Sequence, residues 1–433
     1  MRRDRGRRRR QRPLRLKLLA PLRFRDFRLL WIGATLSLLG DGVLLVAVAW
    51  QAYQLSNSPA AMSMVGVALT VPQVVLVLLG GVISDRVERR RVMLAADLTR
   101  AACLGALAVL SLTGEIRLWH LVAFAAVYGA ASAFFMPAFE ALVPSLVPKE
   151  RLTEANALDA FLRPAMLWLL GPALGGLLVG AAGAGWAFAL DGATFTASAA
   201  CLLRLTARAP EPHDALTVRA AWLELREGFT LVRSQPWLWV TFLAATFTYL
   251  LFLGPTEVLL PYLVKNELGG DAHDFGMILA AGGLSAVAAA FLIGQTGIPS
   301  RVMTFTYLAW AGATLAVAGY GLATTRWQAM TAAALVSGLE TLGAVAWTTT
   351  KQRLVPPELL GRVSSFDWFI SISLVPVSYA VTAPVAAAIG VRETLLGAGI
   401  IGALVTVGFL FIPGVRAPDH RSSSDQVLAG FAP

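Results

Sequence analysis

The sequence predicts an all-α membrane protein of twelve transmembrane helices arranged as two six-helix halves. Three observations predict it: the composition, a row of apolar runs split six and six by a polar segment, and a short internal repeat that sets equivalent spans six apart. Of the 433 residues 57% are hydrophobic and only 14% charged, and the mean hydropathy is +0.66. Soluble domains hold roughly 45–50% apolar and about 25% charged residues, so this chain has too little polar surface for a water-facing fold.

The apolar runs fall at 28–55, 62–84, 92–113, 118–143, 155–180 and 183–204, then at 237–264, 274–297, 302–322, 327–349, 362–389 and 393–413. Each meets the ~20 residues that cross a hydrocarbon core. The polar segment between the sets contains Ala221-Trp222-Leu223-Glu224-Leu225-Arg226-Glu227-Gly228-Phe229. Its apolar positions at helical spacing predict an amphipathic helix on the membrane face. The expected organisation is a basic N-tail at 1–27, a first bundle at 28–204, a linker at 205–236, a second bundle at 237–413 and a C-tail at 414–433.

Twelve spans put both termini on one side, and charge selects which. With the termini cytoplasmic, inner segments hold 30 of the 36 Lys and Arg. Outer loops hold four (Arg117, Lys265, Arg326 and Arg392), and Arg100 and Arg163 fall within spans. That asymmetry follows the positive-inside rule. It accounts for the net charge of +10 by topology and attraction to anionic inner-leaflet lipid, so no nucleic-acid partner is expected. The arginine-rich residues 1–28 contain no apolar core and do not read as a secretory signal. The expected setting is a bacterial inner membrane, multi-pass and monomeric. Cys103 and Cys201 lie in apolar runs and the four histidines are scattered, so no metal site is expected.

The repeat pairs Leu146-Val147-Pro148-Lys149-Glu150-Arg151-Leu152 with Leu354-Val355-Pro356-Pro357-Glu358-Leu359-Leu360. In the same register Asp159 meets Asp367 and Phe161 meets Phe369. Two parallel halves of this kind are one way transporters build alternating access.

Between the second and third runs lies the most charged stretch flanked by apolar residues, Gly81-Val82-Ile83-Ser84-Asp85-Arg86-Val87-Glu88-Arg89-Arg90-Arg91, which reads as a loop. Together with Phe24-Arg25-Asp26-Phe27-Arg28, Leu39-Gly40-Asp41, Pro137-Ala138, Glu154-Ala155-Asn156-Ala157-Leu158 and Gly171-Pro172-Ala173-Leu174-Gly175-Gly176, it resembles the major facilitator superfamily over nearly the whole chain. Within that superfamily the motifs look like the drug- and siderophore-exporter branch, which includes macrolide-efflux and enterobactin-exporter-like proteins. Gly81, Asp85, Arg86, Arg89 and Arg90 match the superfamily's loop motif, while Glu88 stands where many members have a second glycine. The basic residue that many exporters carry in span 4 is missing, since Leu121 to Phe139 holds none.

The resemblance implies the major facilitator fold, with spans 1, 4, 7 and 10 around a central cavity. It implies a conformational latch in which Asp85 faces the start of span 11 near Gly361; a carboxylate at a helix N-terminus gains roughly 0.3–1 kcal/mol. Arg86, Arg89, Arg90 and Arg91 would pair with Glu140, though their number alone also follows from the positive-inside rule. The exporter motif of span 5 would bend at Pro172 and admit a neighbouring helix at Gly171, Gly175 and Gly176. On the three cavity spans sit Asp41, Glu257 and Glu340, carboxylic acids of the kind that carry a proton in a low-dielectric site. A packing role remains open for each. Arg163 is expected to pair with Asp159 at i−4, Asp97 and Arg100 to buttress the charged loop near the inner surface, and Asp191 to be structural.

The expected function is a secondary exporter of a hydrophobic or amphipathic small molecule, working by proton antiport. No Walker motif is present, no catalytic nucleophile or metal set appears, and no cofactor is expected beyond the proton gradient as energy source. The alternatives are a lysophospholipid flippase of the same fold and a non-transporting receptor or scaffold.

Overall fold

The computed structural model describes residues 17–148, 151–206, 226 and 229–420. Most of the linker, including all of the expected amphipathic helix but Arg226 and Phe229, lies outside the described residues. So do residues 1–16 of the N-tail and 421–433 of the C-tail.

Among the described residues, twelve helices are long and apolar enough to cross a membrane. With no water to satisfy them in hydrocarbon, backbone amides must bond within their own segment, which makes a continuous helix the natural form of each apolar run. They are α1 (Arg25–Leu55), α2 (Pro59–Arg86), α3 (Arg89–Leu112), α4 (Leu118–Leu146), α5 (Leu152–Pro164, continuing as Gly171–Ala182) and α6 (Ala184–Leu203). The second set is α7 (Pro236–Glu267), α8 (Ala272–Thr296), α9 (Val302–Leu322), α10 (Arg326–Leu354), α11 (Pro357–Ile372, continuing as Val375–Ile389) and α12 (Val391–Leu410). Starts carry their own signals. Ser58 caps α2 with Pro59 behind it, and capping boxes open α8 (Asp271 with Asp274) and α10 (Thr325 with Gln328).

The charged stretch at 81–91 is mostly helix. Gly81–Arg86 forms the end of α2, Arg89–Arg91 opens α3, and only Val87 and Glu88 connect them. Likewise α11 starts at Pro357 rather than near Gly361, because a proline suits the first helical position.

The halves share one packing plan. In the first, α2 packs on α4, α3 on α4 and α6, and α1 on α5 and α6; in the second, α8 packs on α10, α9 on α10 and α12, and α7 on α11 and α12. The plan extends to local breaks. Helix α5 widens into a π-turn at Ala165–Leu170, and α11 breaks between Ile372 and Val375. Single glycines in left-handed conformation, Gly183 at φ +88° and Gly390 at φ +100°, separate α5 from α6 and α11 from α12. The halves meet along two seams, α5 on α8 and α2 on α11. Large apolar side chains such as Val75, Phe291, Leu322 and Leu404 point outward, as a lipid-facing surface requires.

Candidate functional site

Asp41 lies midway along α1, half-buried, and accepts a hydrogen bond from the Tyr128 hydroxyl of α4. The residue before it, Gly40, lets α6 approach closely. A methyl built on Gly40 would come 2.1 Å from Asp191 Oδ1 and 2.3 Å from Thr194 Oγ1. Thr194 Oγ1 in turn lies 3.1 Å from Asp191 Oδ1. From α3, Arg100 donates through Nη2 to Asp97 Oδ1 at 2.7 Å. Its guanidinium lies over the rings of Phe195 and Phe135 at 4.4 and 4.5 Å and 5.7 Å from that of Tyr128. Asp97 and Asp191 are wholly buried and Arg100 nearly so, at 5% exposure. The same guanidinium acts electrostatically on Asp41 and Asp191 as well.

Asp97, Arg100 and Asp191 therefore belong with Asp41. The expectation that Asp97 and Arg100 lie near the inner surface as a buttress to the charged loop does not hold, and Asp191, expected to be structural, lies beside Gly40 and Thr194 next to them. The reason is depth: Asp97 is eight residues beyond Arg89, about 12 Å along the helix, and Arg100 about 16 Å.

The second half treats its charges differently. Glu257 sits in a π-turn of α7, Pro255–Leu259, and accepts a hydrogen bond from the Tyr379 hydroxyl of α11. The Tyr379 ring fills the space over Gly66 of α2, where a methyl would come 1.9 Å from it. Glu340 is half-buried on α10. Lys351, counted from sequence among loop residues, is inside α10, where its Nζ meets Asp367 Oδ2 at 2.7 Å. Trp347 Nε1 donates to the same oxygen at 2.9 Å, and Ser371 Oγ lies 3.3 Å from Oδ1. Trp347 also packs among Trp237, Phe242 and Trp310, with ring centroids 5.9–6.4 Å apart.

Arg163 pairs with Asp159 at 3.2 Å as the spacing implied, and both are about one-third exposed. The exporter motif of α5 serves two neighbours. A methyl on Gly171 would come 2.5 Å from Gly42 Cα of α1, and one on Gly175 would come 2.9 Å from Val43 O. Gly176 faces α8, where its methyl would meet Ala272 O at 2.9 Å, while Pro172 O lies 2.5 Å from a methyl built on Gly276. The distortion precedes Pro172 as the π-turn, and its Trp168 carbonyl rests against Gly283 of α8.

Among the latch residues, Arg90 donates to the Leu203 carbonyl at 2.7 Å, and Arg91 pairs with Glu88 at 2.7 Å. Glu140 is exposed at the end of α4, with Arg163 and Asp159 as its charged neighbours. Gly81, Asp85 and Arg86 are placed by their backbone at the end of α2.

At the end of the bundle opposite the termini, three hydrogen bonds join the halves among the described residues. Tyr53 Oη donates to the Val258 carbonyl at 2.5 Å, Lys265 Nζ donates to the Tyr53 carbonyl, and Asn57 Nδ2 donates to Asn266 Oδ1 at 2.7 Å. Tyr53 and Tyr262 meet edge to face at 5.7 Å. Two other features lie at this end. Asp271, His273 and Asp274 come together at the start of α8, but Asp271 and Asp274 cap that helix and Asp274 pairs with Arg326 at 2.8 Å. An apolar recess of about 500 Å³ lies between α2, α4 and α11, lined by residues including Met64, Val67, Val122 and Pro384.

Among the described residues, twelve helices long enough to span a membrane form two matching halves, and the family and relatives that match the chain are transporters rather than enzymes. Residues 17–428 match the family described as "Transmembrane secretion effector", and the chain belongs to that family of the major facilitator superfamily. It is 24% identical to macrolide efflux protein A of Streptococcus pyogenes over 91% of this chain and 98% of that one. It is 27% identical to the enterobactin exporter EntS of Shigella boydii over 78% and 80% of the two chains. Identity is also 27% with an MFS-type transporter, YfiS, of Bacillus subtilis, over 63% of this chain and 64% of that one. A solved bacterial homolog of the human lysosomal transporter Spinster, inward-facing and unoccupied, shares the fold with a TM-score of 0.68 at 14% identity, covering 92% of this chain and 99% of that one. The nucleoside transporter NupG shares it at 0.65 and 13% identity, covering 89% and 98%. The chain is a multi-pass bacterial membrane protein with a small-molecule substrate.

Proposed function

We propose that this protein exports a hydrophobic or amphipathic small molecule from the cytoplasm by proton antiport, through alternating access of its two halves. The observation that carries the reading is the seal opposite the termini. It consists of three hydrogen bonds between the halves at one end of the two seams, α5 on α8 and α2 on α11, along which they meet. Contacts of that size can break as one rigid half rocks on the other. The termini lie on the cytoplasmic side in this reading, which the charge asymmetry supports. Export is supported by the macrolide-efflux and enterobactin-exporter relatives. Asp41 is the coupling carboxylate, being half-buried on a cavity helix and held by Tyr128. Glu257, Glu340 and the tryptophan cluster around Trp347 shape the substrate side. The latch of Asp85, Arg86, Arg89, Arg90 and Glu140 closes the cytoplasmic end in the alternate state.

The test is uptake of radiolabelled macrolide, and separately of enterobactin, into everted vesicles. Uptake of one of them that collapses with the proton gradient is expected. Uptake unaffected by that collapse contradicts proton coupling, and absence of uptake of both contradicts the substrate class.

A second reading has its own support. The apolar recess at the α2–α11 seam is open to a lipid tail, as a lysophospholipid flippase would need. Translocation of fluorescent lysophosphatidylcholine in liposomes, without macrolide or enterobactin uptake, would favour it.

A further inference from the structure

Asp41, Asp97 and Asp191 surround a single guanidinium, Arg100. Fully ionised, the four groups would carry two net negative charges in a site where Asp97 and Asp191 have no exposure at all. Among the described residues, the titratable or charged groups that face the cluster are Asp41 on α1, Asp97 and Arg100 on α3, Tyr128 on α4, Arg163 on α5 and Asp191 on α6. Arg163 reaches Asp41 only electrostatically and is already paired with Asp159. Asp97 Oδ2, like Asp191 Oδ2, has no hydrogen-bond partner among the described residues, but Arg100 donates directly to Asp97 Oδ1 and compensates that carboxylate, which leaves Asp41 and Asp191 to share whatever compensation remains.

The two are not equivalent. Asp41 is half-buried and accepts from Tyr128, as a carboxylate does. Asp191 is fully buried; its Oδ1 meets Thr194, and its Oδ2 has no hydrogen-bond partner among the described residues. A buried carboxylate oxygen without a donor is strongly disfavoured, whereas a carboxylic acid there is neutral.

We infer that the N-terminal half contains a built proton-binding site, in which one proton resides on Asp191 behind Gly40 and exchanges with Asp41. Exchange breaks the O–H bond at Asp191 and forms one at Asp41; the negative charge moves the opposite way and the cluster's total is unchanged. Arg100, acting on both carboxyls, stabilises either arrangement. Asp41 is the half-buried member and Asp191 has no exposure, so Asp41 is the entry and Asp191 the store. Gly40 is the residue that makes the store possible, since any side chain there would displace Asp191. The inference goes beyond the antiport reading, because charge balance holds this proton whether or not transport is coupled to it.

The test is infrared spectroscopy of the full-length wild-type protein in liposomes at neutral pH, reading the carbonyl stretch of a protonated carboxylic acid. The expected result is such a band that moves when the protein is made with aspartate carrying heavy carbon at its side-chain carboxyl, and that is lost in Asp191→Asn. The labelling arm needs no variant and so stands even if Asp191→Asn fails to fold. A band that moves only with labelled glutamate would overturn the proposal, as Glu257 and Glu340 would then be its source. So would a labelled aspartate band that persists in folded Asp191→Asn. An aspartate band that disappears on adding sodium would assign the charge balance to a metal cation and overturn it as well.

Discussion

In the N-terminal half, Asp41, Asp97 and Asp191 crowd around Arg100 and Tyr128. In the C-terminal half, Glu257 meets Tyr379 on one side of the bundle, while Lys351 and Asp367 form a separate pair on the other. The helix packing that holds the two sets is the same, pair for pair. Register-equivalent positions show how the two diverged. Asp159 and Asp367 are equivalent, but the cation of the first pair is Arg163 on the same helix, and that of the second is Lys351 on the neighbouring α10. Symmetric backbone thus does not impose symmetric electrostatics. The first half gathers its excess negative charge around one guanidinium, which in the proposed reading suits proton exchange, whereas the second spreads an equal excess over Glu257 and Glu340, apart from its ion pair. The second neutralises its ion pair locally and surrounds it with aromatic rings, which suits a surface that recognises substrate.

The sharpest way to break this division of labour is transport itself. Asp41→Asn is expected to reduce gradient-driven uptake of macrolide or enterobactin in everted vesicles to the level seen with the gradient collapsed. Glu340→Gln should alter substrate preference while leaving gradient dependence in place. The opposite pattern would exchange the roles of the halves.

Stability gives the next largest effect. Arg100→Leu strands Asp97 in a site without exposure and is expected to cost about 3–5 kcal/mol, read as a large loss of thermal stability in detergent. Lys351→Met should cost less, about 1–3 kcal/mol, because Trp347 and Ser371 remain near Asp367. Equal losses would mean that the two halves bury their charges at equal cost. The smallest effect belongs to Arg163→Leu: with both partners about one-third exposed, the pair should be worth at most ~1 kcal/mol.

The twelve spans and their two halves were legible because each apolar run is long enough to need no other interpretation, and because the Leu-Val-Pro repeat sets the register. The charged stretch at 81–91 reads as a loop because charge interrupts an apolar pattern there. Arginines nevertheless propagate a helix well, and the chain breaks at only Val87 and Glu88. The cluster around Arg100 was hidden for a different reason. Its members come from α1, α3, α4 and α6, and nothing in a one-dimensional pattern says that these helices meet at one depth. Two signals pointed there: the i, i+3 spacing of Asp97 and Arg100 within an apolar helix, and Gly40 beside Asp41, a residue that permits close approach. Lys351 follows the apolar run and so reads as a loop cation, although α10 continues to Leu354.

Rocking of the halves is the central claim, and a reversible crosslink across the seal tests it most directly. Asn57 and Asn266 touch at 2.7 Å, so Asn57→Cys and Asn266→Cys, in a chain with Cys103 and Cys201 replaced by Ala, should join under oxidation. The account predicts that the crosslinked protein loses macrolide or enterobactin uptake in everted vesicles and regains it on reduction. Undiminished uptake with the crosslink intact would contradict it.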